Sequence, residues 1–295
     1  MTTVDLSVVV VGSRASGPVP ELFSALAPAL QSGRVELLLA SAQPGASVAT
    51  ANTRWVRCPA GSTVPAMRLA GVRAASAPLI ALTEDFCVPG AGWVEALLEA
   101  HARDRAAVVG GPIARRAGSA ADWALTLIEY GRFFGGSSGG SAQTVSDLPS
   151  INVAYPARAL FSALPSEQTG IFEVELHARL REAGVRFCLS PAATMFDQNT
   201  TQIRPAARAQ YHHGRLFGGD RVRGRALALR LKHALLTPAV PAVLLSRIAR
   251  RVTAAGQAEQ LLRSLPALSI LLTAWAAGEA MGSMFGPGQS AERWT

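Results

Sequence analysis

Apolar runs alternate with polar, glycine- or proline-bearing breaks along most of the chain. Residues 6–11 (Leu-Ser-Val-Val-Val-Val) form a short β-branched run that predicts a buried strand, ended by Gly12. Pro20–Gln31 carries Leu22, Phe23, Leu26 and Leu30 at helical spacing and predicts a helix. The rhythm then repeats, with a strand at 35–39, a helix at 64–75 and a strand at 79–82 closed by Thr83-Glu84-Asp85. A helix at 93–101 follows, then a strand at 106–109 that ends in Gly110-Gly111. Strands alternating with helices at this interval imply an α/β fold, with a mostly parallel sheet flanked by helices on both faces.

The glycine- and serine-rich run 133–142 cannot pack and predicts a mobile loop. Beyond it come a short apolar run at 151–155 and a helix at 172–183. Gly184 just past that helix is the usual left-handed stop. Further strands are predicted at 185–189 and 194–196. From about residue 221 the character changes, which divides the chain into 1–220 and a basic, apolar helical segment, 221–295. That segment holds two uncharged runs, 234–246, broken by Pro238 and Pro241, and 264–278. Neither reaches the roughly 20 apolar residues of a membrane span. Buried or interfacial helices are therefore expected.

Hydrophobic residues make up 49% of the 295, enough for a sizeable core, and only 16% are charged, too few for a disordered chain. Cys58, Cys87 and Cys188 lie far apart, which argues against a disulfide framework and a cysteine-based zinc site. The run 8–11 has no basic residue before it and does not read as a secretory signal, so a reducing, cytoplasmic setting is expected. The net charge of +8 is uneven. Residues 204–251 hold eleven Arg or Lys against the single acid Asp220, while the remainder has 17 bases facing 19 acids. A basic segment on a near-neutral body calls for an anionic partner. Nucleic acid fits poorly, because Tyr211 and Phe217 are the segment's only aromatic residues and its apolar runs are long.

Ligands of an open parallel sheet bind beyond the carboxyl ends of its strands. Glu84 and Asp85 stand at such an end. Adjacent carboxylates there suit a divalent cation that clamps a diphosphate, or serve as an ordinary loop or N-cap pair. Glu173 and Glu175 open a helix, where the dipole favours acids, and either has the chemistry of a general base. Gly12-Ser13 follows the first strand as a fragment of a phosphate loop, without GxGxxG or GxxxxGK[ST]. His212 and His213 are adjacent and do not share a helix face. A metal role for His213 needs outside partners, whereas phosphate contact among the arginines does not.

These landmarks in this order resemble a family 2 glycosyltransferase of GT-A fold, over about residues 5–215. The segment ALTEDFCVPGAGWVEALLEA is similar to that family's strand, acidic metal motif and Gly-Trp helix start. FEVELHARLREAGVRF is similar to the segment carrying its catalytic base. The resemblance implies an inverting, hexosyl-type transfer from a nucleotide-diphospho-sugar donor. It places the base on Glu173, the metal (Mg²⁺ or Mn²⁺) at Asp85 with Glu84, the diphosphate near Ser13, Arg68 and Arg215, and the acceptor side at Asn152. The chain departs from the family pattern where Phe86 and Cys87 follow the acidic pair and where Ala40-Ser41 ends the second strand. A degenerate, scaffold-like member and a nucleotidyltransferase are the alternatives. The basic C-terminal segment matches the membrane-working branch, where each Lys or Arg near anionic lipid contributes about 1 kcal/mol. The resemblance thus implies a glycan or lipid-linked acceptor, cell-envelope synthesis, and a peripheral site on the cytoplasmic face of the inner membrane.

Overall fold

The structure, a computed structural model, describes residues 4–13, 17–43, 52–134 and 142–290. The chain runs β1 (Leu6–Gly12), α1 (Pro20–Gln31), β2 (Val35–Ser41), β3 (Thr53–Arg57), α2 (Val64–Ala74), β4 (Leu79–Glu84), β5 (Cys87–Pro89), α3 (Trp93–Arg103), β6 (Val108–Gly110) and β7 (Ile113–Ala114). It continues with α4 (Ala120–Tyr130), β8 (Gln143–Val145), β9 (Val153–Pro156), α5 (Ala157–Ala163), α6 (Glu173–Glu182), β10 (Phe187–Leu189) and β11 (Met195–Asp197). Four helices close it: α7 (Ile203–Arg221), α8 (Leu227–Leu236), α9 (Val240–Ala254) and α10 (Ala258–Phe285). Of the predicted loop at 133–142, residues 135–141 lie outside the described residues.

Two compact units result, one of residues 1–114 and 136–198, the other of 115–135 and 199–295. This grouping places 115–135 and 199–220 with the C-terminal part, whereas the sequence reading divided the chain after residue 220. The reason is packing. α7, which holds the first basic residues, packs along α10, and α4 joins the same cluster of helices.

In the first unit an eight-stranded sheet has the order β3-β2-β1-β4-β9-β6-β10-β8. The β1–β2, β1–β4, β2–β3 and β6–β10 pairs are parallel, and β9 and the edge strand β8 run antiparallel to their neighbours. Val8, Val9, Val10 and Val11 are all fully buried, so both faces of β1 are covered, as its unbroken apolar run requires. On one face, Val9, Leu38, Ile80 and Leu82 pack with Leu69 and Val72 of α2 and with Leu176 and Leu180 of α6. Because β2 and β3 extend from one side of β1 and β4 lies on the other, the strand order reverses between β1 and β4. β5, β7 and β11 form a separate three-stranded sheet.

The second unit is helical. Trp123, Leu127, Ile248, Val252, Leu268, Leu271 and Leu272 form its core, drawn from α4, α9 and α10. Arg115 and Asp122 bind the inserted piece to the C-terminal part, Arg115 through the Asn199 carbonyl at 2.7 Å and Asp122 through the Thr201 amide at 2.7 Å. α7 and α10 meet backbone to backbone. A Cβ added to Gly214 or Gly218 would lie 2.1 or 2.2 Å from the carbonyl oxygens of Trp275 or Glu279, and one on Gly278 or Gly282 would meet those of Tyr211 or Arg215 at 2.0 or 2.1 Å. The glycines recur every fourth residue on both helices, so each helix presents one smooth strip to the other. Gly278→Val should force the pair apart and lower the unfolding free energy by about 1–3 kcal/mol, read as a lower urea midpoint. An unchanged midpoint would show that the helices are not in this contact.

Candidate active site

The switch point between β1 and β4 is where an open sheet of this kind leaves a crevice at its strand ends. Val11 pairs with Glu84 in register, and the Asp85 amide donates to the Val11 carbonyl at 3.0 Å. Glu84 and Asp85 thus leave β4 beside Gly12 and Ser13 at the end of β1. The Ser13 hydroxyl donates to Asp85 Oδ1 at 3.2 Å, and Asp85 is fully buried.

Helix α2 brings Arg68 to the same place. Thr63 caps the helix by accepting from the Ala66 amide, and Arg68 sits buried one turn in. α6 brings Glu173. The Ile171 amide donates to the Pro65 carbonyl at 2.8 Å, which ties the start of α6 to the start of α2. Gly170 makes that approach possible, since a Cβ there would lie 2.7 Å from the Pro65 side chain. As a result one guanidinium joins two carboxylates: Arg68 Nη2 donates to Glu84 Oε1 at 2.7 Å, and Nη1 meets Glu173 Oε1. Of the two acids that open α6, Glu173 has a side chain only 15% exposed, whereas Glu175 is 61% exposed and pairs with Arg179 one turn on.

Arg68 pairs with Glu84 and Glu173, and Asp85 is adjacent in the chain to Glu84. Burial pushes the Glu84 carboxyl above its ordinary value, and the charges of Glu173 and Asp85 push the same way while Arg68 opposes them. The Glu84 and Asp85 oxygens are hard donors that suit Mg²⁺ or Mn²⁺. Among the described residues no group of three or more His, Cys, Asp or Glu is placed to hold a metal.

Beneath α6 lies a buried polar chain that no sequence motif announced. Tyr155 Oη and His177 Nε2 are 2.7 Å apart, and His177 Nδ1 meets Asp147. Burial raises the Tyr155 hydroxyl well above its ordinary value, and the negative charge of Glu173 pushes it further, a sign of how near that carboxylate lies. His177 is one turn from Glu173, a spacing that could have been noticed. Asp197, also missed, is buried across from Cys87 in the register of β5 and β11. Burial first, then the Asp197 charge, pushes the Cys87 thiol well up.

Three expected site residues have other partners. Asn152 is fully buried. Its Oδ1 accepts from Trp93 Nε1 at 2.8 Å, and its Nδ2 donates to the Pro112 and Ala193 carbonyls, so the amide braces α3 against neighbouring loops. Arg215, in the second unit, donates through Nε to the Gly286 carbonyl at 3.2 Å, and its guanidinium lies against Gly288. His213 packs edge-on to Trp275, and burial, with His212 beside it, pushes its pKa down to about 4. The His213 ring therefore lies neutral against the Trp275 indole within the helical unit.

No protein-family model matches the chain, and no curated protein matches it in sequence. Among solved structures, the mannosyltransferase PcManGT from Pyrobaculum calidifontis, in complex with GDP-Man and Mn²⁺, matches 94% of this chain over 87% of its own, at 14% identity and a TM-score of 0.53. The fold is GT-A. TarS 1–349 from S. aureus matches at 12% identity and a TM-score of 0.47, over 94% of this chain and 90% of its own. GalNAc-T7 with UDP, GalNAc and Mn²⁺ matches at 13% identity and a TM-score of 0.46, over 68% of this chain. The chain spans 44% of the length of that GalNAc-T7 chain. In this GT-A fold the Arg68 cluster occupies the switch point of the sheet.

Two pH dependences follow. Because the folded Glu84 carboxyl is raised, its contribution to stability is full below its ordinary value near 4.5 and is lost as pH rises through the folded value. Subtracting a Glu84→Gln melting profile from the wild-type one should reveal that downward slope, and parallel profiles would contradict the burial of this charge. His213 acts in the opposite sense. Its stability contribution is full above 6.5 and falls by about 3 kcal/mol as pH drops toward about 4. His213→Phe should flatten the wild-type decline in that window, and an unaltered decline would rule out a neutral, buried ring.

Proposed function

We propose that this protein is an inverting glycosyltransferase of the hexosyl type, which moves a sugar from a nucleotide-diphosphate donor to an acceptor hydroxyl. The observation that carries the reading is Arg68 held between Glu84 at the end of β4 and Glu173 at the start of α6, at the switch point of a GT-A sheet. PcManGT, the relative in fold, was solved with GDP-Man and Mn²⁺, which supports a nucleotide-sugar donor and a divalent cation for this chain.

Glu173 accepts the proton of the acceptor hydroxyl as that oxygen attacks the anomeric carbon, and the bond to the diphosphate breaks on the opposite face. Inversion follows from that single displacement. Arg68 supplies fixed positive charge beside the departing diphosphate. Ser13, at the end of β1, donates toward the same region. Glu84 and Asp85 would hold Mg²⁺ or Mn²⁺, which when bound offsets the charge that develops on the leaving group. The acceptor is a glycan or lipid-linked hydroxyl of the cell envelope, met at the cytoplasmic face of the inner membrane. A second reading, a non-catalytic GT-A domain, draws on the full burial of Asp85 and on the acidic pair's lack of a third carboxylate.

A thermal-shift panel of UDP, GDP, CDP, TDP and ATP, with and without Mn²⁺, separates the two. A ligand at about 100 times its Kd stabilises the fold by about 2.7 kcal/mol. One diphosphate should raise the melting temperature only with Mn²⁺, and Asp85→Asn should abolish the rise. Glu173→Gln should lower kcat at least about a hundredfold while donor affinity stays within a few-fold. A flat panel on folded protein would favour the non-catalytic domain.

A further inference from the structure

The helix pair α8 and α9 carries a surface that packing leaves uncovered. α8 has no buried residue, and α9 buries only Ile248 and Val252. Leu227, Leu231 and Leu235, at every fourth position, make one stripe along α8, with Leu235 79% and Leu227 63% exposed. Leu236 and Val243, also exposed, extend it toward α9. Five large apolar side chains in a row on solvent are more than a scatter of surface residues.

The charges around the stripe have one sign. No Asp or Glu occurs between Asp220 and Glu259, while eight Arg or Lys do. Lys232, Arg247, Arg250 and Arg251 are exposed, and the last three line one shallow surface pocket. Guanidinium groups grouped in this way suit phosphate oxygens.

The opposite face is tied down. Arg230 caps α10 by donating to the Ser283 carbonyl at 3.0 Å and to that of Met284, and Ile248 and Val252 sit in the helical core. The stretch Leu227–Ala254 is long and apolar enough to cross a membrane by length and composition, as is Ala258–Phe285. The uncharged runs 234–246 and 264–278 stay shorter than a span, and these stretches reach that length only with flanking helix that carries charged residues. The two differ in burial, at 6% and 44% of their most apolar windows. A stretch with one face bound to the fold, the 3-10 turn at 237–239 in its middle and arginines near both ends is shaped to lie along an interface.

We propose that the α8–α9 face docks flat on an anionic phospholipid bilayer. The leucine stripe enters the boundary of the acyl chains, and Lys232, Arg247, Arg250 and Arg251 meet headgroup phosphates. Charge complementarity selects this occupant, since a second copy of the chain would set one basic rim against another. The surface belongs to the second unit and is independent of the transfer chemistry proposed above.

Flotation of the full chain tests the proposal, using vesicles of phosphatidylcholine alone or doped with phosphatidylglycerol. The protein should rise with the doped vesicles and several-fold less with the neutral ones. Leu231→Glu with Leu235→Glu should lower the bound fraction about tenfold at an unchanged melting temperature. Arg247→Glu with Arg250→Glu should remove the preference for phosphatidylglycerol. Protein that stays down with both vesicles, or leucine variants that float as wild type does, would overturn it. So would a dimer by light scattering that Leu235→Glu dissociates, since a second copy would then cover the stripe. Nucleotide binding by the leucine variants separates this outcome from failure of the transferase reading.

Discussion

The candidate site depends on one buried guanidinium. Arg68 lies between Glu84 and Glu173 and joins the two like-charged groups in one crevice. Arginine stays charged under any accessible condition, whereas lysine loses its proton more readily on burial. Breaking a buried pair by removing one partner costs about 3–5 kcal/mol, because the other charge is left uncompensated. The placement of α2, the start of α6 and the end of β4 is coupled through this residue. Asp85 follows Glu84 at the end of β4 and accepts from the Ser13 hydroxyl.

Close backbone approach is the second device that recurs. Gly170 lets the start of α6 touch α2, which sets Glu173 over Arg68. In the helical unit four glycines let α7 and α10 pack without side chains between them. In both places the missing Cβ matters for distance more than for conformational freedom. The buried Tyr155–His177–Asp147 chain supports α6 from beneath, one turn from Glu173. The α8–α9 face shows the converse situation, large apolar side chains held outward by a helix whose other side is fastened.

Several parts were legible because their signals are local. The four valines of β1, the helix at Pro20–Gln31 and the strand that ends in Thr83-Glu84-Asp85 all formed as their patterns require. β3 escaped notice because Thr-Arg-Trp-Val-Arg is an edge strand with charged, partly exposed positions, and so lacks an apolar run. α7 was missed for a related reason, since charge and glycine along it masked its helical period. Asn152 was placed on the acceptor side by the family resemblance, and its three buried hydrogen bonds to Trp93, Pro112 and Ala193 carry no signal in the sequence.

The sequence by itself determined the class of fold, the order of its early strands and helices, the acidic pair at a strand end, and the concentration of positive charge after residue 204. Each is a matter of composition or of period over a few neighbouring residues. Only the tertiary structure decided that Arg68 joins Glu84 to Glu173, that Glu173 turns inward while Glu175 stays in solvent, and that Arg215 and His213 serve the helical unit. It also drew 115–135 into that unit and left the leucines of α8 uncovered. These outcomes rest on contacts between residues far apart in the chain. They form where buried charge finds a counterion and apolar surface finds a partner, and neighbouring residues carry no record of either.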